Sequence, residues 1–273
     1  MAEVLENCEI GPGCFRMRLA DANVARSARP GQFVHVRLPG SSLDPLLRRP
    51  FSVCLADPGE GTLLVLYQVV GRGTQMLAKI RPGDYLNVLG PLGRGFDMPP
   101  ADGKGDVALV AGGLGIAPLI MLSRDLSRAG VGCSFLVGGR SQDLLVGVDL
   151  VPCAGAGLAA TLRRDLQVVT EDGSIGRQGL VTDALDDLLR DGGARCVYAC
   201  GPVGMLREVG RLGEAHHVPV QVSLEERMAC GLGACLGCAV KARPGRGGRE
   251  TYLRVCVDGP VFWAGEVDLD GIA

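Results

Sequence analysis

Aromatic side chains are scarce in this sequence, at 4% of 273 residues, while glycine is abundant at 42. Tight turns and close approach of backbone to ligands are therefore expected themes. An excess of one charge sign is also missing. The net charge of -2 gives no electrostatic footprint for nucleic acid or a membrane surface. No run of about 18 apolar residues lacks charges, so no membrane span is expected. The N-terminus, MAEVLENCEI, carries acids where a secretory signal would carry a basic region, which predicts a cytoplasmic protein. An even cysteine count is lacking too. There are 11, and Cys8, Cys14, Cys54, Cys133, Cys153, Cys196 and Cys200 are scattered singly, a poor match to a secreted disulfide framework.

What is present falls into three stretches. Length alone suggests about two domains. Over the first hundred residues Val34, Val36 and Leu38 alternate with His35 and Arg37, the period of a strand. Leu63 to Val70 and Leu86 to Leu89 are further strand-like runs. Arg29-Pro30-Gly31, Asp57-Pro58-Gly59 and Arg81-Pro82-Gly83-Asp84 separate such runs as turns. The pattern predicts a barrel or sandwich. After a linker at Asp97 to Gly103, strands and helices alternate. Strands are expected at Val107 to Ala111, Cys133 to Val137, Leu166 to Thr170, Cys196 to Cys200 and Val218 to Val222. One helix should start near Pro118, with Leu119, Leu122 and Leu126 on one face, and others should cover Val181 to Leu189 and Met205 to Leu212. That alternation predicts a parallel, doubly wound sheet. From about Ser223 a cysteine-rich loop runs to Cys238. A basic, glycine-rich stretch follows from Lys241 to Arg249, then an expected strand from Tyr252 to Val257.

The loop reads MACGLGACLGCAV over residues 228 to 240, so Cys230, Cys235 and Cys238 are spaced C-x4-C-x2-C, with Cys256 downstream. This is the plant-type spacing for a 2Fe-2S cluster, which takes four thiolates. Gly231, Gly233 and Gly237 suit a loop that turns sharply and aims amides at sulfur. A structural zinc site is the competing reading, but zinc knuckles usually open C-x2-C.

Two βα turns carry nucleotide signals. Val107 to Pro118 reads as a strand, a glycine turn at Gly112, Gly113 and Gly115, and a helix start, where a pyrophosphate can sit at the helix N-terminus. Tyr198-Ala199-Cys200-Gly201-Pro202 ends a later strand at the same sheet edge. Cys200 there is a candidate nicotinamide contact or a small buried thiol. In the β-rich part, Arg48-Arg49-Pro50-Phe51-Ser52 offers cations, a ring and a hydroxyl. Tyr67 and Gly71-Arg72-Gly73-Thr74 follow one strand later.

RRPFS, YQVVGRGT, GPLGRGF, AGGLGIAPL, YACGPVGM and ERMACGLGACLGCAV…VCVDGPVF occur in that order. In this the chain resembles the electron-transfer subunits of class B dihydroorotate dehydrogenases, within the ferredoxin-reductase-like superfamily, over roughly residues 5 to 267. The resemblance implies a β plus α/β architecture: an N-terminal antiparallel flavin-binding β-barrel (residues 1–100), a doubly wound parallel-sheet nicotinamide-binding domain (101–222) and a small C-terminal 2Fe-2S domain (223–273). It implies FAD contacts from Arg49, Pro50, Phe51 and Ser52. Leu66, Tyr67 and Gln68 would line the flavin, and Gly73 and Thr74 would hold its pyrophosphate. NAD is expected at Gly112, Gly113, Gly115, Cys200, Gly201 and Pro202, and the cluster on Cys230, Cys235, Cys238 and Cys256. The insert after Cys238 leaves the loop's conformation open.

Such cofactors form a series, because a flavin mediates between two-electron nicotinamide and one-electron iron-sulfur chemistry. The chain is too short to add a substrate barrel of about 250 residues, and no residue set suited to dihydroorotate is visible. The resemblance therefore implies an FMN-containing dihydroorotate dehydrogenase catalytic subunit as partner, in a heterotetramer of two of each. A related subunit of another redox complex (a transhydrogenase, hydrogenase or sulfite reductase) and a zinc-stabilised nucleotide-binding module are the alternatives. Arg140 and Ser141 leave the choice of NAD or NADP open.

Overall fold

The computed structural model describes residues 1–38, 44–99, 105–151, 166–243 and 251–272. Cys153, most of the expected linker and most of the basic, glycine-rich stretch lie outside the described residues. In the N-terminal part the strands are β1 (Ala2–Gly11), β2 (Cys14–Ala20), β3 (Phe33–Arg37), β4 (Arg49–Asp57), β5 (Thr62–Gln68) and β6 (Tyr85–Leu92). Helices α1 (Ala22–Ser27) and α2 (Arg72–Leu77) lie between them. The strands close an antiparallel barrel in the order β1-β2-β5-β4-β3-β6. Val4, Met17, Leu19, Val34, Val36, Val53, Leu63 and Val65 fill it, the inward half of each strand's alternation.

The β1–β2 hairpin is absent from the sequence reading. Register shifts between Val4 and Glu6 and between Glu9 and Gly11 interrupt the alternation that would have marked it.

The second part holds β7 (Val107–Gly112), α3 (Ile116–Arg128), β8 (Cys133–Gly139), β9 (Leu166–Thr170), β10 (Arg177–Gln178), α4 (Val181–Arg190), β11 (Val197–Cys200), α5 (Val203–Ala215) and β12 (Val220–Ser223). The C-terminal part adds β13 (Ala239–Lys241), β14 (Tyr252–Arg254) and β15 (Val261–Trp263). The expected strand at Tyr252 to Val257 is thus cut short. Amides of Val257 and Asp258 turn back to the Arg254 carbonyl, at 3.1 and 2.8 Å.

The main sheet runs β10-β9-β8-β7-β11-β12-β15. It is parallel except at β15, which pairs antiparallel with β12 through Val222 and Phe262. The C-terminal segment therefore completes the nucleotide-type sheet as well as carrying the cysteine loop. The two parts share a core that includes Val222, Val240, Val255 and Phe262.

Helix α3 shows how the barrel is fixed to the sheet. Leu119, Leu122 and Leu126 form the expected buried face, but Ile116, Ile120 and Met121 are buried too. The helix lies between β7 and barrel strand β4, with Cys54 and Leu66 in the same apolar cluster. Arg124 Nη1 also donates to the Ala56 carbonyl at 2.7 Å. From β11 and β12, Tyr198 Oη and Gln221 Nε2 donate to the Asp97 carbonyl, at 3.0 and 3.1 Å, pinning the start of the linker. Among the described residues no helix is long and apolar enough to cross a membrane.

Candidate active site: a two-nucleotide cleft beside a four-cysteine loop

Barrel, sheet and C-terminal segment enclose a cleft of ≈ 1380 Å³. That exceeds the range of about 300–1,000 Å³ usual for one small ligand and suits two dinucleotides. Arg49, Pro50, Phe51, Ser52, Leu66, Tyr67, Gln68 and Thr74 line it from the barrel. Gly112, Gly113, Gly115, Gly201 and Pro202 line it from the sheet. The structure thus brings these residues face to face, while Gly73 and Cys200, also expected at the site, do not line the cleft. The Pro50 to Ser52 segment is placed by strand pairing: Phe33 lies opposite Ser52, Val34 opposite Phe51 and His35 opposite Pro50.

Phe51 and Tyr67 lie 5.6 Å apart between ring centroids, and Phe15 stacks on Tyr67 at 5.3 Å. Tyr67 Oη donates to Asn7 Oδ1 at 2.9 Å, and burial pushes its pKa up to about 12. Arg49 rests against the turn that opens α2, so a Cβ at Gly73 would come within 2.8 Å of Leu38 Cδ1 and 3.1 Å of Arg49 Nε. Arg49 Nη1 donates to the carbonyls of Leu47 and Arg48. The Thr74 hydroxyl is committed to the turn. It accepts from the amides of Val70 and Gly71 and donates to the Gly71 carbonyl. The helix ladder begins with Gln75 N–H to Gly71 O, so the amides of Arg72, Gly73 and Thr74 precede it as donors suited to an anion. Thr74 shapes this cradle through its side chain.

On the sheet side, Gly115 permits a contact that no other residue could. An added Cβ would overlap the carbonyl of Cys200 and come within 2.7 Å of the Gly201 amide. The glycine turn and the Cys200-Gly201 turn are therefore packed backbone to backbone. Gly113, at φ +54°, instead has open space where a Cβ would point. Cys200 itself is fully buried, and its thiol pKa is raised by burial first and by Glu225 second. The residues exposed to the cleft at this turn are Gly201 and Pro202. Glu225, which also lines the cleft, was missed in the sequence because nothing in its local pattern separates it from a surface acid.

The cysteines meet through the C-terminal hairpin. Ala239 pairs with Arg254 and Val240 with Leu253, and Val255 N–H donates to the Cys238 carbonyl at 3.0 Å. Cys256 comes beside Cys238 whatever the length of the insert at the hairpin's tip. Its turn is locked by Arg254, which grips Asp258 through Nε and Nη2 at 3.0 and 3.1 Å and reaches the Gly233 carbonyl.

The thiols fall into two pairs. Amides of Leu232 and Cys235, with the Cys235 side chain, draw the Cys230 thiol down to about 6. Burial and the neighbouring Cys238 push Cys256 up to about 11. Leu232 N–H lies 3.4 Å from Cys230 Sγ, and Gly237 N–H 3.5 Å from Cys235 Sγ. Among the described residues no three His, Cys, Asp or Glu side chains converge on one ion. Two thiol pairs with amides aimed at sulfur fit a binuclear iron-sulfur group.

Comparison with known proteins finds matches in the N-terminal and C-terminal parts. Residues 225–268 match the iron-sulfur cluster binding domain of dihydroorotate dehydrogenase B, and residues 7–96 match an oxidoreductase FAD-binding domain. The dihydroorotate dehydrogenase B (NAD(+)) electron transfer subunit of Desulforamulus reducens is 39% identical over 261 residues, covering 96% of this chain and 95% of its own length. That of Fusobacterium nucleatum is 35% identical over 98% of this chain and 97% of its own. Among solved structures, one of an NADH-dependent reduced ferredoxin-NADP oxidoreductase, studied for flavin-based electron bifurcation, superposes with a TM-score of 0.83. It is 33% identical and covers 99% of this chain and 90% of that one. Phthalate dioxygenase reductase, at 16% identity and a TM-score of 0.59, shares the fold.

Proposed function

Because the chain belongs to the family of dihydroorotate dehydrogenase B electron-transfer subunits, we propose that it moves electrons between NAD and a partner subunit's flavin through its own FAD and a 2Fe-2S cluster, in pyrimidine biosynthesis. The observation that carries this reading is the shared cleft, with the expected flavin segment on one wall, the glycine turns on the other and the cysteine loop packed on the same barrel. When bound, nicotinamide exchanges electrons in pairs, the cluster singly and the flavin in both ways.

The chain's own work is positional. Arg49 and the first amides of α2 hold the FAD pyrophosphate. Phe51 and Tyr67 support its ring system from the barrel side. The turn from Gly112 to Gly115 presents the N-terminus of α3 to the second dinucleotide. The apolar contact between α3 and β4 holds the two sites at a fixed separation. Cys230 and Cys235 would hold one iron, and Cys238 and Cys256 the other. The functional divisions are 1–100, 101–222 and 223–273. The partner is an FMN-containing catalytic subunit, two of each per complex, in the cytoplasm. Exposed Leu232, Leu236 and Val257 around the cysteine loop favour that face as the exit.

Arg49→Ala is expected to weaken FAD retention by roughly 10–100-fold, the loss of a charge-assisted hydrogen bond of about 1.5–3 kcal/mol. Iron content should not change. Flavin retained after gel filtration measures this, and unchanged FAD occupancy would count against the assignment.

The whole reading is tested with the purified chain. It should reduce ferricyanide with NADH, leave dihydroorotate untouched, and gain NAD-linked dihydroorotate oxidation when the catalytic subunit is added. Dihydroorotate oxidation by the isolated chain would sink the subunit reading. The resemblance to the bifurcating oxidoreductase favours a second reading, a subunit of such a complex. Failure to couple to any dihydroorotate dehydrogenase catalytic subunit would support that one instead.

A further inference from the structure

The alternation in β3 reads His35 as facing outward, yet its side chain is fully buried. The cysteine loop covers it. A Cβ on Gly231, whose φ is +70°, would lie 2.5 Å from His35 Nδ1. Burial first, and the Arg48 charge second, hold the imidazole pKa below its usual value, and the ring faces the backbones of Cys230 and Arg48. Neither ring nitrogen reaches hydrogen-bond geometry with a partner, and both are buried. A buried polar group left in this way calls for a missing partner.

The surroundings make the ring's position deliberate. Arg48 Nη1 donates to the His35 carbonyl at 3.2 Å, and its Nη2 donates to Asn87 Oδ1 at 2.6 Å, clamping β3 from outside. Phe33 meets the ring edge-on, with centroids 6.5 Å apart. Across the strand pair His35 faces Pro50, inside the Arg49 to Ser52 segment. One side chain thus lies between the expected flavin strand and the first cluster ligand.

We propose that His35 is a positioning residue for the metal centre: once the cysteine loop is loaded, its imidazole donates a hydrogen bond into the Cys230 end of the loop and ties that ligand to the barrel. This rests on the cluster reading above. A wild-type protein without a 2Fe-2S spectrum would defeat that reading first, before the histidine is tested.

Hydrogen bonds near cluster sulfur stabilise the reduced, more negative state, so their loss lowers the reduction potential. His35→Leu in the full chain should retain FAD but show a lower cluster midpoint potential and altered g-values in a redox titration followed by paramagnetic resonance. His35→Gln, which keeps an N–H donor, should recover part of the shift. Full iron with wild-type potential and g-values in His35→Leu would overturn the proposal. If the leucine variant loses its iron, the glutamine variant decides. Iron restored by glutamine supports the hydrogen bond, and iron missing from both sinks it.

Discussion

Replacing Cys235 with serine is expected to abolish the rhombic paramagnetic signal of the dithionite-reduced protein and to leave the FAD in place. Cys235 is exposed in its loop and belongs to none of the apolar cores, so the substitution tests ligation rather than folding. Loss of even an outer-shell partner weakens metal sites by about 10–100-fold, and loss of a thiolate ligand should exceed that. Iron per chain should fall with the signal. Cys256→Ser should do the same at a further cost in stability, because Cys256 is buried with Val255 and Phe262. Full iron and a full signal in the Cys235 variant would remove that residue from the ligand set.

The second large effect is expected from two neighbouring glycines that look alike in sequence. Gly115→Ala places a methyl into the backbone of Cys200 and Gly201, which has no flexible end to yield. Overpacking of this kind costs about 3 kcal/mol, or roughly 6–12 °C in Tm for a chain of this size. Gly113→Ala meets no atom within 4 Å and bears only the left-handed backbone penalty of about 1–2 kcal/mol. Its methyl should instead obstruct the dinucleotide. Gly113→Ala should therefore raise the NADH concentration needed for half-maximal flavin reduction by about tenfold or more with a Tm loss of only about 2–8 °C, while Gly115→Ala should lower Tm by more and leave that concentration less affected. Thermal unfolding beside an NADH titration separates the two. Equal Tm losses in both variants would contradict the packing described here.

The three-part organisation was legible because each part carries a different period or punctuation: alternation in the barrel, strands and helices in turn, then clustered cysteines. The C-x4-C-x2-C loop from Cys230 to Cys238 could be read because its spacing is local. What escaped depended on contacts between distant segments. Two bulges hid β1 and β2. The antiparallel addition of β15 to the parallel sheet joins residues about forty apart, and no local pattern specifies it. His35 looked outward because alternation distinguishes two faces but cannot tell that the cysteine loop covers one of them. Cys200 sat at the right sheet edge, yet only packing reveals that its thiol points into protein and leaves Gly201 and Pro202 to face the cleft. The downstream position of Cys256 left its loop conformation open in sequence. The hairpin register from Ala239 to Arg254 provides the reach.

On the proposed route, electrons leave the flavin of this chain through the cysteine-bound cluster. Rapid mixing of NADH with the complex reconstituted from Cys235→Ser and the catalytic subunit tests this route, since the flavin of this chain and the one proposed for the partner can be followed separately. This chain's flavin is expected to be reduced at the wild-type rate while the partner's flavin stays oxidised. Undiminished reduction of the partner's flavin would show that the cysteine loop is structural and that the route lies elsewhere.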